Sequence, residues 1–170
     1  MDCQPAAEDS VSGRSLEERV RALEDERDIR DLLVRYAVCL DRRNLSGYAR
    51  LFAEDGRWFG RMGDVHGRDA IEQMLLDSFG PTPAGFVNTS NFHLMTNFLI
   101  EVDGDTARAD SRITYFVRGE NDRPVAMLAG RYEDAFVRRD GRWLFASRQV
   151  IGEIPTIAEA PIAAPEESGQ

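Results

Sequence analysis

The sequence predicts an α+β fold in which helices cover one face of a bent, mostly antiparallel sheet and leave a cavity between the two layers. Three observations carry this. Apolar residues recur at helical spacing in the first half of the chain, and from Phe92 onward the apolar period becomes two. Tight-turn signals, Asp103-Gly104-Asp105 and Asp140-Gly141, then join successive strands into a meander. A chain of 170 residues has the length of one domain and can bury a core without staples.

Residues 1–14 are small and polar and are expected to form a disordered leader, while 152–170 mix Pro, Ala and Glu without periodicity and read as a flexible tail. The domain is therefore expected over 15–151. Ser15 followed by Glu18 is a capping box, and Leu16, Val20 and Leu23 open a helix. The charged run Glu24 to Asp28 interrupts the apolar phase before Ile29, Leu32, Leu33, Tyr36, Ala37 and Leu40 resume it. This predicts one bent helix or two, ending at Asp41. Asn44 can cap a short helix through Phe52, and Gly56, Trp58-Phe59 and Gly63-Asp64 predict a small hairpin ending near His66. Ile71, Met74, Leu75 and Phe79 predict a helix over 69–79, closed by the loop GPTPAG. Strands follow over 92–102, 106–118, 125–139 and 142–151.

Composition removes several functions. Thirty acidic against twenty-one basic residues give a net charge of −9, which opposes binding to nucleic acid or an anionic membrane surface. No apolar run approaches the roughly 20 residues that span a bilayer. The first residues lack the basic and apolar stretches of a secretory signal, so a cytoplasmic location is expected. Two cysteines cannot form a disulfide framework, and with two histidines they make a zinc site of nitrogen and sulfur ligands improbable. There is neither a clustered D-x-D pattern nor a glycine-rich phosphate loop, so no metal and no cofactor is expected.

Chemistry is expected from a few polar groups on apolar faces. Along 106–118 the odd positions are mostly apolar, which places Ser111 and Tyr115 on the inward side, where each needs a partner or a wet pocket. In the preceding strand strict alternation puts His93, Met95, Asn97 and Leu99 on one face, with no polarity signal to say which face is inside. His93 is either a satisfied core histidine or a base. Asp41 ends an apolar helix face at the terminus where the macrodipole disfavours negative charge. Its carboxylate is either neutralised by Arg42 and Arg43 or points into the cavity to orient a histidine. Arg148, flanked at period two by Ala146 and Val150, is an inward arginine for an anionic or carbonyl group, or a solvent-facing one. Trp58, Phe52 and Tyr132 are core or cavity wall, and His66 is most simply a turn residue.

The order of these elements, with SLEERVRALEDERDIRDLLVRYAVCLDRRN, LFAEDGRWFG, NFHLMTN and GRYEDAFVRRDGRW, resembles the SnoaL-like branch of the nuclear-transport-factor-2-like superfamily over about residues 15–151. Within that branch the chain looks most like the bile-acid 7α-dehydratase and hexachlorocyclohexane dehydrochlorinase group, with scytalone dehydratase more distant. The resemblance implies a cone-shaped α+β barrel, no cofactor, and an Asp-His pair that removes a proton while a leaving group departs. That pair falls on Asp41 and His93, and the helix tyrosine on Tyr36. Where the bile-acid enzyme carries a second acid on the strand, this sequence offers Tyr115. The implied activity is a dehydratase-type lyase on a hydrophobic alicyclic or polycyclic molecule, steroid-like or polyketide-like. Tyr36, Tyr115, Arg148, Trp58, Tyr132 and Asn97 are the expected substrate contacts. An isomerase or polyketide cyclase would use the same groups. A non-catalytic subunit like the small subunit of ring-hydroxylating dioxygenases would not need Asp41 and His93 to meet. Relatives bury their strand edges in trimers or dimers, so a homo-oligomer is expected.

Overall fold

A computed structural model describes residues 13–154. The remaining parts of the expected leader and tail, 1–12 and 155–170, lie outside the described residues. The first helix, α1, is a single 26-residue helix, Leu16–Asp41. The charged run does not break it because Asp25 is buried where it falls: Arg138 donates to both its carboxylate oxygens at 2.6 and 2.7 Å, and Trp143 Nε1 donates at 3.1 Å. The capping box forms as expected, with Ser15 Oγ accepting from the Glu18 N–H and Glu18 accepting from the Ser15 N–H. Below Asp25 the helix buries Ile29, Leu32, Leu33, Tyr36 and Ala37, whereas Leu16, Val20 and Leu23 in the first two turns are exposed.

A short helix, α2 (Leu45–Ala49), is capped by the Asn44 side chain, and the chain enters strand β1 (Phe52–Gly60) directly after it. β1 and β2 (Gly63–His66) form the expected hairpin, and α3 (Arg68–Phe79) follows. The meander then runs through β3 (Asn91–Asp103), β4 (Thr106–Arg118), β5 (Pro124–Arg139) and β6 (Arg142–Ile154). The last strand extends through Gly152 to Ile154, three residues beyond the strand end expected at 151.

All six strands form one curved sheet in the order β2-β1-β6-β5-β4-β3. β2 and β3 are its two edges and do not pair, so the sheet curves without closing. Neighbours are antiparallel except β1 and β6, which run parallel with Phe52 opposite Phe145 and Trp58 opposite Arg148. α1 packs on β3 and β6, while α3 packs on β1. The core between helices and sheet is strongly aromatic: Tyr36, Tyr48, Phe52, Phe136 and Phe145 are at most 2% exposed. Phe145 lies 5.0 to 5.7 Å from the ring centres of Phe136, Phe52 and Tyr36. Burying such rings contributes roughly 2 to 3 kcal/mol each, and Tyr36 ties α1 into the cluster.

One departure in β3 decides where its side chains point. Asn97 has φ 54°, and the β3–β4 register slips between Thr96 and Leu99. This bulge inserts a residue and reverses the alternation. Before it Asn91, His93 and Met95 face inward; after it Phe98 and Ile100 do, leaving Asn97 and Leu99 outward.

Candidate active site

The site grows from the end of α1. After Asp41 the chain reverses through Arg43, at φ 52°, and the N–H groups of Arg42, Asn44 and Arg43 return to the carbonyls of Val38, Cys39 and Leu40. The reversal leaves the Asp41 side chain beside the start of β3. There its Oδ1 lies 2.6 Å from His93 Nδ1, and both carboxylate oxygens accept from the His93 backbone N–H at 3.2 Å. A carboxylate only accepts, so Nδ1 carries the hydrogen, and in the neutral imidazole the lone pair is on Nε2. The two side chains are 22% and 14% exposed, so the pair is accessible from solvent.

Tyr115 stands directly across from His93 in the β3–β4 ladder, with ring centres 4.6 Å apart and planes tilted 38°. Burial, with the Asp41 charge in the same direction, pushes its phenol above the usual 10, while Arg43 pulls weakly the other way. Tyr115 is therefore a protonated hydrogen-bond donor at neutral pH. Around this group the inward side chains Met95, Leu128 and Val150 are half-buried, whereas Ile113, Tyr132 and Phe136 further along the same face are buried. Met95, Leu128 and Val150 thus keep part of their apolar surface accessible on the face that carries His93 and Tyr115. Grooves of about 600 and 670 Å³ run over Arg108, Glu101 and Ala135, away from Asp41 and His93.

Four of the other expected substrate contacts meet in a different place. Arg148 is fully buried and donates to both oxygens of Asp134 at 2.7 and 2.6 Å. Its guanidinium carbon lies 3.8, 4.1 and 4.5 Å from the ring centres of Tyr36, Tyr132 and Phe145. Burial works against the guanidinium charge, but the pull and hydrogen bonds of Asp134 exceed it, and Arg148 stays charged. The Tyr36 hydroxyl accepts from Trp58 Nε1 at 3.3 Å inside the same cluster. Tyr36, Trp58, Tyr132 and Arg148 therefore form a buried wall. Two buried polar atoms, Arg148 Nη1 and Ser111 Oγ, have no protein partner there. Asn97, turned outward by the bulge, lines a surface groove with Arg131 and Glu153 instead of joining His93. His66 is two-thirds exposed, 3.4 Å from Asp64, and plays no part in the site.

The sequence reading passed over Asp134 and Asn88. An acidic residue between Tyr132 and Phe136 on an inward face was the available signal for Asp134. Asn88, in a loop without periodicity, offered none. Among the described residues no three His, Cys, Asp or Glu side chains are grouped as metal ligands, and no helix is long and apolar enough to cross a membrane.

The curved, unclosed sheet packed under N-terminal helices is the cystatin-like fold of a solved NTF2-like protein from Novosphingobium aromaticivorans. Within that fold the chain belongs to the SnoaL-like domain family, whose model matches residues 21–149. The uncharacterized protein Rv2910c of Mycobacterium tuberculosis is 31% identical over 134 residues, which is 76% of this chain and 86% of that one. Among solved structures, LinA superposes with a TM-score of 0.68 at 20% identity, over 86% of this chain and 99% of LinA. The "Putative Scytalone Dehydratase" of Novosphingobium aromaticivorans gives 0.67 at 26% identity, over 89% and 99%.

Proposed function

We infer that the protein is a cofactor-independent lyase of the dehydratase type, acting on a hydrophobic alicyclic or polycyclic molecule such as a steroid-like or polyketide-like compound. The observation that carries this is the 2.6 Å approach of His93 Nδ1 to Asp41. In the reaction His93 Nε2 takes a proton from carbon, and Asp41 stabilises the imidazolium that results. Tyr115 donates its O–H to the leaving or carbonyl oxygen as charge develops on it. The electrons of the broken C–H bond form the double bond, and the hydroxyl departs as water with the proton that His93 has taken, which returns the imidazole to its neutral form. Met95, Leu128 and Val150 supply the apolar contact, and the unpartnered donors on Arg148 and Ser111 suit a substrate oxygen that reaches the buried wall.

Proton return to another carbon would make the same groups an isomerase, and ring closure would make them a cyclase. An assembly subunit has no use for the dyad, which is why the Asp41–His93 contact favours catalysis. The dehydratase in the name of the Novosphingobium protein agrees with elimination. We further read the protein as a cytoplasmic homo-oligomer, dimer or trimer, that covers the exposed Phe92, Leu94 and Leu99 beside the free β3 edge. The test is a panel of hydroxysteroids and hydroxylated polyketide-like substrates, with elimination followed as a new conjugated chromophore. Turnover by the parent chain that disappears in His93→Gln supports the reading; equal turnover by both overturns it.

A further inference from the structure

We propose that Asn88, in the loop between α3 and β3, is a positioning residue that fixes the Asp41–His93 pair; the proposal rests on the dyad reading above. A helix leaves its last four carbonyls without partners inside the helix. In α1 these are Val38, Cys39, Leu40 and Asp41, and the chain reversal supplies backbone N–H groups to the first three only. The fourth, on the residue that holds the imidazole, is taken by the Asn88 side chain: Nδ2 donates to Asp41 O at 2.7 Å.

The same amide grips the start of the histidine strand. Nδ2 also lies 2.9 Å from Asn91 O and 3.1 Å from Asn91 Oδ1, while Asn88 Oδ1 accepts from the N–H groups of Ser90 and Asn91 at 3.0 and 3.3 Å. One half-buried side chain thus joins the backbone of Asp41 to that of Asn91, two residues before His93. The loop is held from its other end as well. Thr82 Oγ1 donates to Arg43 O at 2.7 Å, Arg43 Nη1 donates to Phe79 O at 2.8 Å, and the Arg43 guanidinium lies 5.2 Å from the rings of both Phe79 and Phe86.

This arrangement has an electrostatic consequence. The negative end of α1 opposes the Asp41 carboxylate, and a neutral N–H donor on the Asp41 carbonyl offsets part of that opposition without competing for the carboxylate oxygens. Asn88 therefore sets both the distance and the field under which Nδ1–H is held and Nε2 is kept free.

The chain's two histidines make the test direct. Imidazole nitrogen NMR of the full-length, substrate-free protein, with His66→Asn for assignment, reads which His93 nitrogen carries the hydrogen. The parent should show the Nδ1–H form with a strongly hydrogen-bonded, low-field proton. Asn88→Ala should lower that signal several-fold and mix the tautomers, while the exposed neighbour Thr89→Ala leaves it unchanged. Asn88→Ser, which keeps one donor on a shorter stem, should fall between them and serves if Asn88→Ala does not fold. An unchanged Nδ1–H signal in a folded Asn88 variant overturns the proposal. No substrate enters this measurement, so loss of the positioning role is distinguishable from failure of the lyase reading, which His93→Gln turnover decides.

Discussion

The carboxylate of Asp41 accepts twice from one residue, from the backbone N–H of His93 at 3.2 Å and from its ring Nδ1 at 2.6 Å. The backbone bond fixes where the strand lies and the ring bond fixes how the imidazole is turned, so a single carboxylate sets both position and tautomer.

This coupling predicts non-additive kinetics. His93→Gln should reduce turnover by about two to four orders of magnitude, the usual size of a general-base contribution. Asp41→Asn should cost a comparable amount, because it keeps the shape and removes the charge facing the imidazolium. The double variant should be little worse than either single one, since the two act as a unit. Losses that multiply would show that the residues work separately.

Tyr115→Phe should lower turnover less than either dyad variant, by roughly one order of magnitude, the value of about one hydrogen bond to developing charge. Because burial and Asp41 hold the phenol above its ordinary 10, its ionisation should not limit activity between pH 7 and 9. A descending limb in that range that vanishes in Tyr115→Phe would contradict this.

The buried pair predicts a stability cycle. Asp134→Asn or Arg148→Gln leaves a partner charged or unpaired in the core and should cost about 3 to 5 kcal/mol in urea unfolding. Replacing both, as in Asp134→Leu with Arg148→Met, should cost less than the sum and less than the worse single change. A double variant that is additive would mean the pair is not coupled.

Asp25 predicts an acid dependence. The hydrogen bond from Arg138 and the one from Trp143 hold its pKa below the ordinary 3.8 against the effect of burial. A lowered folded-state value stabilises the fold above the unfolded pKa and loses that contribution as pH falls through the folded one. The gap in unfolding free energy between parent and Asp25→Asn should therefore be roughly 1.5 to 3 kcal/mol at pH 7, and should narrow below pH 4. A gap that widens in acid would have the wrong sign.

Exposed Phe92, Leu94 and Leu99 beside a free strand edge predict self-association. Light scattering at micromolar concentration should give a dimer or trimer mass, and Leu94→Glu should reduce it. A parent protein that scatters as a monomer would rule the association out.

Period and turn chemistry were enough to read most elements, because the amphipathic strands and the capping box are local. They also put Asp41 at a helix end and Tyr115 on an inward face. What stayed hidden depended on distant partners. The first helix runs unbroken through its charged run because Arg138 and Trp143 satisfy Asp25 from strands far along the chain. The bulge at Asn97 reverses the alternation of β3, so strict period two assigned Asn97 and Leu99 to the wrong face. Tyr36 falls on the apolar helix phase and period two leaves Arg148 either inward or solvent-facing; only the parallel joining of β1 to β6 gathers them with Trp58 and Asp134 into a wall separate from the dyad.

That parallel joining also orders events during synthesis. β1 leaves the ribosome early, yet the strand that completes it, β6, is the last of the sheet to be translated. Until then Phe52 and Trp58 have no strand on that side, and the hairpin they belong to is a lone two-stranded ribbon of marginal stability. The nascent chain therefore carries an unmatched aromatic edge from the time β1 emerges until β6 follows it. Any stop before Arg142 releases a product with its core open, a natural target for chaperones and proteases.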